Sequence, residues 1–311
     1  MTGKTAAAEV FVHPALFYRD EAEYLAGTVP FVLDGLAAGE PVAVAVPGRQ
    51  LALLRDALGA EAAGAVRLID MEQAGRNPGR IIPRVLRAFA DAHQGGHVRI
   101  IGEPVWAGRS PAEYPACVQH EALINHAFTG RDVTIVCPYD TSRLSAAALD
   151  DAHATHPVII DAGKERPSAS YAPDQIIAAC NRPLPLAPGA AAFAFDAETL
   201  PDARHFATRL ATGLGLPPDR QDDLALSVAE LTTNSVVHGG GTGTLRIWGE
   251  DGHVVYEVED RGHLGDPLAG RHPVPPGRPG GRGLLLVHCL TDLVRTHTRA
   301  QGTTIRCYLR R

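Results

Sequence analysis

The chain has 311 residues, 45% hydrophobic and 21% charged, which are globular proportions at a length that suggests two domains. A formal net charge of −6 gives no general attraction to phosphate backbones or anionic lipid, so neither direct nucleic-acid binding nor membrane binding is expected. The longest apolar runs, such as "PVAVAVP" at 41–47, fall far short of the roughly 20 residues that span a bilayer, and "MTGKTAAAEVFVHP" lacks a secretory core and cleavage pattern. A cytoplasmic protein is therefore expected. Five cysteines, Cys117, Cys137, Cys180, Cys289 and Cys307, form no C-x-x-C pair and fit reduced thiols. The only two lysines, Lys4 and Lys164, stand outside any P-loop glycine frame, so a nucleotide would need another phosphate-binding geometry.

The first half repeats a strand-then-helix rhythm. β-rich runs at 41–47, "AVRLID" (65–70), "HVRIIGE" (97–103) and "DVTIVCPYD" (132–140) alternate with helical spacing such as "IIPRVLRAFADAH" (81–93). Continuous apolar strands between helices predict an α/β domain with a mostly parallel sheet covered on both faces. Between 161 and 188 prolines and small residues interrupt the pattern, with "DQIIAAC" a short helix inside what is expected to be a linker.

The second half has a different order. A helix "DARHFATRLATGLG" (202–215) and a second one ending in "ELTTNSVVHGG" (230–240) precede two strands, "TLRIWGE" and "HVVYEVED", joined by an Asp-Gly turn. A Pro- and Gly-rich loop (261–281), a helix "GLLLVHCLTD" and a closing hairpin through Gln301-Gly302 complete an α+β two-layer sandwich. Glu230, Asn234 and His238 lie four apart on one helical face, a polar stripe beside the apolar stripe of Leu224, Val228 and Leu231. Alone, such a stripe is an ordinary solvated face. Farther on, Asp260 and Gly262 end a strand, where a carboxylate can accept from an exocyclic amine. "PGGRGLLLV" then puts Gly280, Gly281 and Gly283 at a helix start, where free N–H groups and the dipole favour an anion and Arg282 adds charge. Gly302-Thr303 opens the last strand with a hydroxyl.

In this order the four elements resemble the N, G1, G2 and G3 boxes of the GHKL ATPase superfamily, which includes gyrase and the histidine kinases. "ELTTNSVVHGG" and "GGRGLLLVHCLTD" look most like the anti-sigma-factor serine kinases. The resemblance covers residues 189–311. It implies that ATP and Mg²⁺ are bound, with Asn234 the metal ligand and Glu230 the general base on an incoming serine hydroxyl. Asp260 would read adenine with Thr303 in support, and His263–Pro279 would form a lid. It also implies a sigma factor and an anti-sigma-factor antagonist as partners, and a homodimer. His238 is read as a helix-end residue rather than a catalytic one. The absence of a separate phosphoacceptor segment argues against a histidine kinase. One departure stands out: His263 replaces the glycine expected after Asp260 and Gly262. A domain of this kind can transfer phosphate or bind ATP and sequester a partner stoichiometrically, and both alternatives stay open.

"HPALFYRDEAEYLAGTVPFVLDGLAAGEPVAVAV", "VRIIGEPVW" and "HEALINHAFTGRDVTIVCPYD" resemble the MEDS sensory domain over residues 8–160, which implies an unknown small-molecule ligand. Glu103 and Trp106 follow one strand end and Tyr139 and Asp140 another; in open parallel sheets ligands bind at such ends, so these four and His13 are candidates for a sensor pocket. The equal alternative is that Trp106 is core and the acids cap helices. Cys117, His120, His126 and Cys137 could be assembled into a metal or haem site, but their spacing matches no zinc pattern, and buried cysteines are ordinary core residues.

Overall fold

The computed structural model describes residues 11–274 and 281–311. The chain divides into two compact units: one extends to Gly75 and resumes over Arg84–Ile177, the other joins Arg76–Pro83 to Ala178–Arg311.

The first unit runs β1 (Pro14–Tyr18), α1 (Glu21–Ala37), β2 (Val42–Val46), α2 (Gly48–Ala65), β3 (Arg67–Asp70), α3 (Met71–Ala74), α4 (Arg87–Ala92), β4 (Val98–Gly102), α5 (Tyr114–Ala127), β5 (Val133–Asp140), α6 (Ala146–Thr155), β6 (Val158–Asp161) and β7 (Lys164–Pro167). Its seven-stranded sheet has the order β3-β2-β4-β5-β1-β6-β7. All pairs are parallel except β6 with β7. The apolar run "VAVAV" of β2 is buried at every position, as a strand covered on both faces requires. Asp20 starts α1 by accepting from Glu23 N at 2.9 Å. The periodic segment 81–93 is not one α-helix. Pro83 has no N–H to give the ladder, and Ile81–Leu86 winds as a π-helix before α4 begins.

Helix α7 (Pro173–Cys180) occupies part of the segment expected to be a linker. The second unit then adds β8 (Ala191–Phe195), α8 (Leu200–Gly213), α9 (Gln221–His238), β9 (Gly243–Glu250), β10 (His253–Asp260), α10 (Gly283–Leu290), β11 (Leu293–Arg299) and β12 (Gly302–Arg310). The strands form an antiparallel sheet, β11-β12-β10-β9-β8. Asp251 and Gly252, with φ of 42° and 76°, make the two-residue turn between β9 and β10, in which both central residues take positive φ. One core joins helices to sheet: fully buried Ala203, Ala207 and Ala211 keep α8 close, while Leu224, Val228 and Leu231 of α9 meet Leu245, Ile247, Val254 and Tyr256. Within this unit Asn77 Nδ2 and Arg80 Nε donate to the carbonyl of His288 at 3.0 and 2.9 Å, which fastens segment 76–83 to the end of α10. Among the described residues no helix is long and apolar enough to cross a membrane.

Candidate functional site

Two members of the stripe on α9 line a cavity of about 620 Å³ in the second unit. Asn234 and His238 line it together with Asp260, Gly262, Gly281, Gly283 and Thr303. Glu230 stands one turn before Asn234. A Cβ placed on Gly283 would lie 2.7 Å from Glu230 Oε2 and 3.1 Å from Asn234 Nδ2. Only glycine lets the first turn of α10 come this close to the carboxylate and amide.

Asp260 ends β10 and is held from two sides. Ser235 Oγ donates to its Oδ2 at 2.6 Å, and Gly262 N donates to its Oδ1 at 2.8 Å. Each carboxylate oxygen keeps acceptor capacity for a further donor. The space around it is close: a Cβ on Gly239 would fall 2.5 Å from the Asp260 carboxyl carbon, and one on Gly262 would fall 2.8 Å from the His238 carbonyl. Thr303 Oγ1 donates to Gly262 O at 2.8 Å and sits 2.9 Å from Thr298 Oγ1, so it supports the loop after Asp260. Ser235, Gly239 and Thr298 were given no role from sequence. Ser235 adjoins Asn234, but its task exists only because β10 ends beside α9.

The loop after β10 returns along α10. Leu268 is buried, Asp266 Oδ1 accepts from Leu268 N at 2.9 Å, and Gly270 at φ 73° would place a Cβ 2.6 Å from that of Leu284. His263, the departure from the glycine pattern, is exposed and does not take positive φ; among described non-glycine residues only Ala162 and Asp251 do. Histidine there carries no left-handed backbone strain. Arg282 caps α10 and is exposed, and Gly281 before it has φ 77°. Gly280, and residues 275–279 of the expected lid, lie outside the described residues.

In the first unit a cleft of about 250 Å³ opens at the C-terminal ends of β1 and β5, lined by residues including Tyr18, Arg49, Asp140 and Arg143. The five sensor candidates are not brought together there. Asp140 lines the cleft. Glu103 is buried, and Tyr18 Oη, from the cleft wall, donates to its Oε1 at 3.4 Å. Burial pushes the Glu103 carboxyl well above the ordinary carboxylate range. Trp106 is half-buried under the Arg109 guanidinium, 3.7 Å from the ring centroid. His13 is fully buried, and Tyr139 is buried with its ring edge-on to His156. The set Cys117, His120, His126 and Cys137 does not assemble either: His126 pairs with Asp174 at 2.8 Å, while Cys137 neighbours His13 and Glu121.

An antiparallel sheet carrying α8, α9 and α10, with a cavity walled by α9 and the start of α10, gives the second unit a GHKL ATPase-like fold. Residues 193–309 match the family model of the histidine kinase-like ATPase domain. Residues 12–157 match that of the MEDS domain, the methanogen/methylotroph, DcmR sensory domain. The chain thus carries a MEDS domain followed by a histidine kinase-like ATPase domain. It is similar to a crystal structure of the RsbU and RsbW domains of Rv1364c from Mycobacterium tuberculosis at 20% identity, over 39% of this chain and 32% of that one, with a TM-score of 0.29; the chain thus spans about a third of that structure. No curated protein matches the chain significantly.

Proposed function

We propose that the second unit binds Mg-ATP in the cavity between α9 and α10 and phosphorylates a serine or threonine of an anti-sigma-factor antagonist. It would also hold a sigma factor, and the MEDS domain would control it. The observation that carries this reading is the apposition of Glu230 and Asn234 to Gly283 at the first turn of α10. A hard-cation ligand, a carboxylate base and the N–H groups of a helix start meet at one place. The kinase class and its partners rest on the resemblance of "ELTTNSVVHGG" and "GGRGLLLVHCLTD" to anti-sigma-factor kinases.

Each residue then has a task. Asn234 offers its amide oxygen to Mg²⁺. Asp260, oriented by Ser235 and Gly262, accepts from the adenine amine. Gly281 and Gly283 let the backbone approach the phosphates, and Arg282 adds charge. Bound there, Mg-ATP supplies the phosphoryl group. Glu230 takes the proton from the attacking hydroxyl, a contribution of roughly 10²–10⁴-fold for positioned general bases.

Calorimetry of Mg-ATP with the full chain is the test. Saturable binding is expected, and Asn234→Ala should abolish it. With labelled ATP and candidate antagonists, Glu230→Ala should retain binding while transfer falls at least about 100-fold. A folded wild-type chain that binds no nucleotide would overturn the reading. Binding without transfer to any antagonist would leave stoichiometric sequestration as the activity.

A further inference from the structure

In the first unit, four side chains far apart in sequence converge in the interior. His13 immediately precedes β1, Glu121 lies on α5, Cys137 on β5, and His156 caps α6 just before β6. All four are 0–1% exposed, and one donor atom from each lies within 4.8 Å of all the others. Among the described residues this is the only such group of His, Cys, Asp and Glu.

The hydrogen bonds around the group decide which nitrogens face it. Asn125 Nδ2 donates to the carbonyls of Glu121, Ala122 and Thr155 at 3.2, 3.2 and 2.9 Å, so its Oδ1 is the acceptor presented to His13 Nδ1 at 3.2 Å. His156 Nδ1 faces the carbonyl of Ala152 at 2.9 Å. Each Nδ1 therefore carries the proton, and in the neutral rings each Nε2 carries a lone pair. Both lone pairs point at the Glu121 carboxylate: His13 Nε2 is 3.3 Å and His156 Nε2 3.5 Å from Oε2. His156 Nε2 and Glu121 Oε1 lack a partner at normal hydrogen-bond distance, and the buried Tyr139 hydroxyl is the further donor beside the Glu121 carboxylate. Three acceptors and a thiol converge in a buried space, an arrangement that costs free energy unless something positive lies between them.

We propose that His13, Glu121, Cys137 and His156 form a structural Zn²⁺ site. Tetrahedral coordination at about 2.0–2.1 Å for nitrogen and oxygen and about 2.3 Å for sulfur separates neighbouring donors by roughly 3.3–3.6 Å. The separations in the structure include 3.3 Å (His13–Glu121), 3.4 Å (His13–Cys137), 3.5 Å (His156–Glu121) and 3.6 Å (Cys137–Glu121). The remaining two both involve His156 and lie within 4.8 Å, so its ring closes by up to roughly 1 Å on the ion. Both imidazoles already have the outer hydrogen bonds that orient metal-ligating histidines. On binding, the Cys137 thiol loses its proton to solvent, and Zn²⁺ with one thiolate and one carboxylate is neutral as a unit. Four protein donors leave no open position. The ion therefore clamps α5 and the neighbouring strands β5, β1 and β6 rather than activating water.

The experiment is elemental analysis of the tag-free full chain after gel filtration, with Co²⁺ substitution as a second readout. One zinc per chain is expected. The Co²⁺ form should show the strong visible bands of a tetrahedral ion and a thiolate-to-cobalt charge-transfer band. Cys137→Ser should remove that band, and Asn125→Ala, which frees the His13 ring, should weaken zinc binding about 10–100-fold. Cys180→Ser, outside the cluster, should retain the metal. Two results overturn the proposal: a folded wild-type chain with only background zinc and no thiolate band with Co²⁺, which means that a shared proton fills the gap, or full zinc retention in both Cys137→Ser and His156→Gln. The Co²⁺ spectrum is read on the wild-type protein, so it stands even where a variant fails to fold.

Discussion

Each unit buries a carboxylate, and the two have opposite surroundings. In the second unit Glu257 is 1% exposed, and Arg306, its direct partner across the β10–β12 register, donates to its Oε2 from Nε at 2.9 Å and from Nη2 at 2.7 Å. Arg246, its partner across β9, stands 3.4 Å from the other oxygen. The Arg306 guanidinium also lies 4.9 Å from the Trp248 ring centroid. In the first unit Glu121 is equally buried but faces two imidazole lone pairs and a thiol. A permanent guanidinium makes one carboxylate independent of the medium. The other depends on what the medium supplies, whether proton or metal.

The largest expected effect tests the self-sufficient side. Glu257→Ala leaves the Arg306 charge buried without its carboxylate, and removing one partner of a buried pair costs about 3–5 kcal/mol. Urea unfolding should show that loss in the transition of the second unit, and a chelator should not change it. The same chelator should lower only the transition of the first unit. If it destabilises both units equally, the contrast between Glu121 and Glu257 is wrong.

A smaller effect concerns a carboxylate at the cavity between α9 and α10. Asp260 is oriented by one neutral hydroxyl and one backbone N–H. Hydrogen bonds to charged groups contribute about 1.5–3 kcal/mol when buried, and less beside an open cavity. Ser235→Ala should therefore weaken Mg-ATP about tenfold by calorimetry, whereas Asp260→Ala should lose binding. Equal losses would mean that Ser235 does more than orient Asp260.

The legible and illegible parts of the molecule differ by distance along the chain. Asn234 sits on a helix at a spacing that fixes its face, and Asp260, Gly262 and Gly283 belong to short local motifs, so these cavity-lining residues were within reach of the sequence, whereas His238, read as a helix-end residue, also lines the cavity and Glu230 stands one turn outside its lining. Ser235 was out of reach, because its partner arrives 25 positions later from a strand end. His13 and His156 are 143 positions apart and meet only because β1 inserts between β5 and β6, which no spacing rule contains. β1 itself was missed: "PALFY" is short and begins with proline, tolerated at a first strand position yet a mark against a central strand. The helical spacing of 81–93 likewise holds no sign of the π-turn around Pro83.

The smallest effect comes from a third buried carboxylate, Glu103, which is kept as an acid. Burial pushes its carboxyl well above the ordinary carboxylate range, the Tyr18 hydrogen bond opposes the shift, and Asp140 adds to it. From about 4.5 up to the raised folded value, the native state holds a proton that the unfolded chain has released. Stability from this group is therefore full on the acid side and is lost as pH rises through that window. Glu103→Gln keeps an oxygen for Tyr18 and never ionises, so its urea midpoint should exceed that of the wild type at pH 8 and lack this fall between pH 5 and pH 8. Zinc loss from the histidine cluster has the opposite sign, because protons compete with the metal as pH falls. An unfolding profile across pH thus separates a carboxyl that has to stay protonated, Glu103, from a cluster whose Cys137 thiol has to give up its proton to hold a cation.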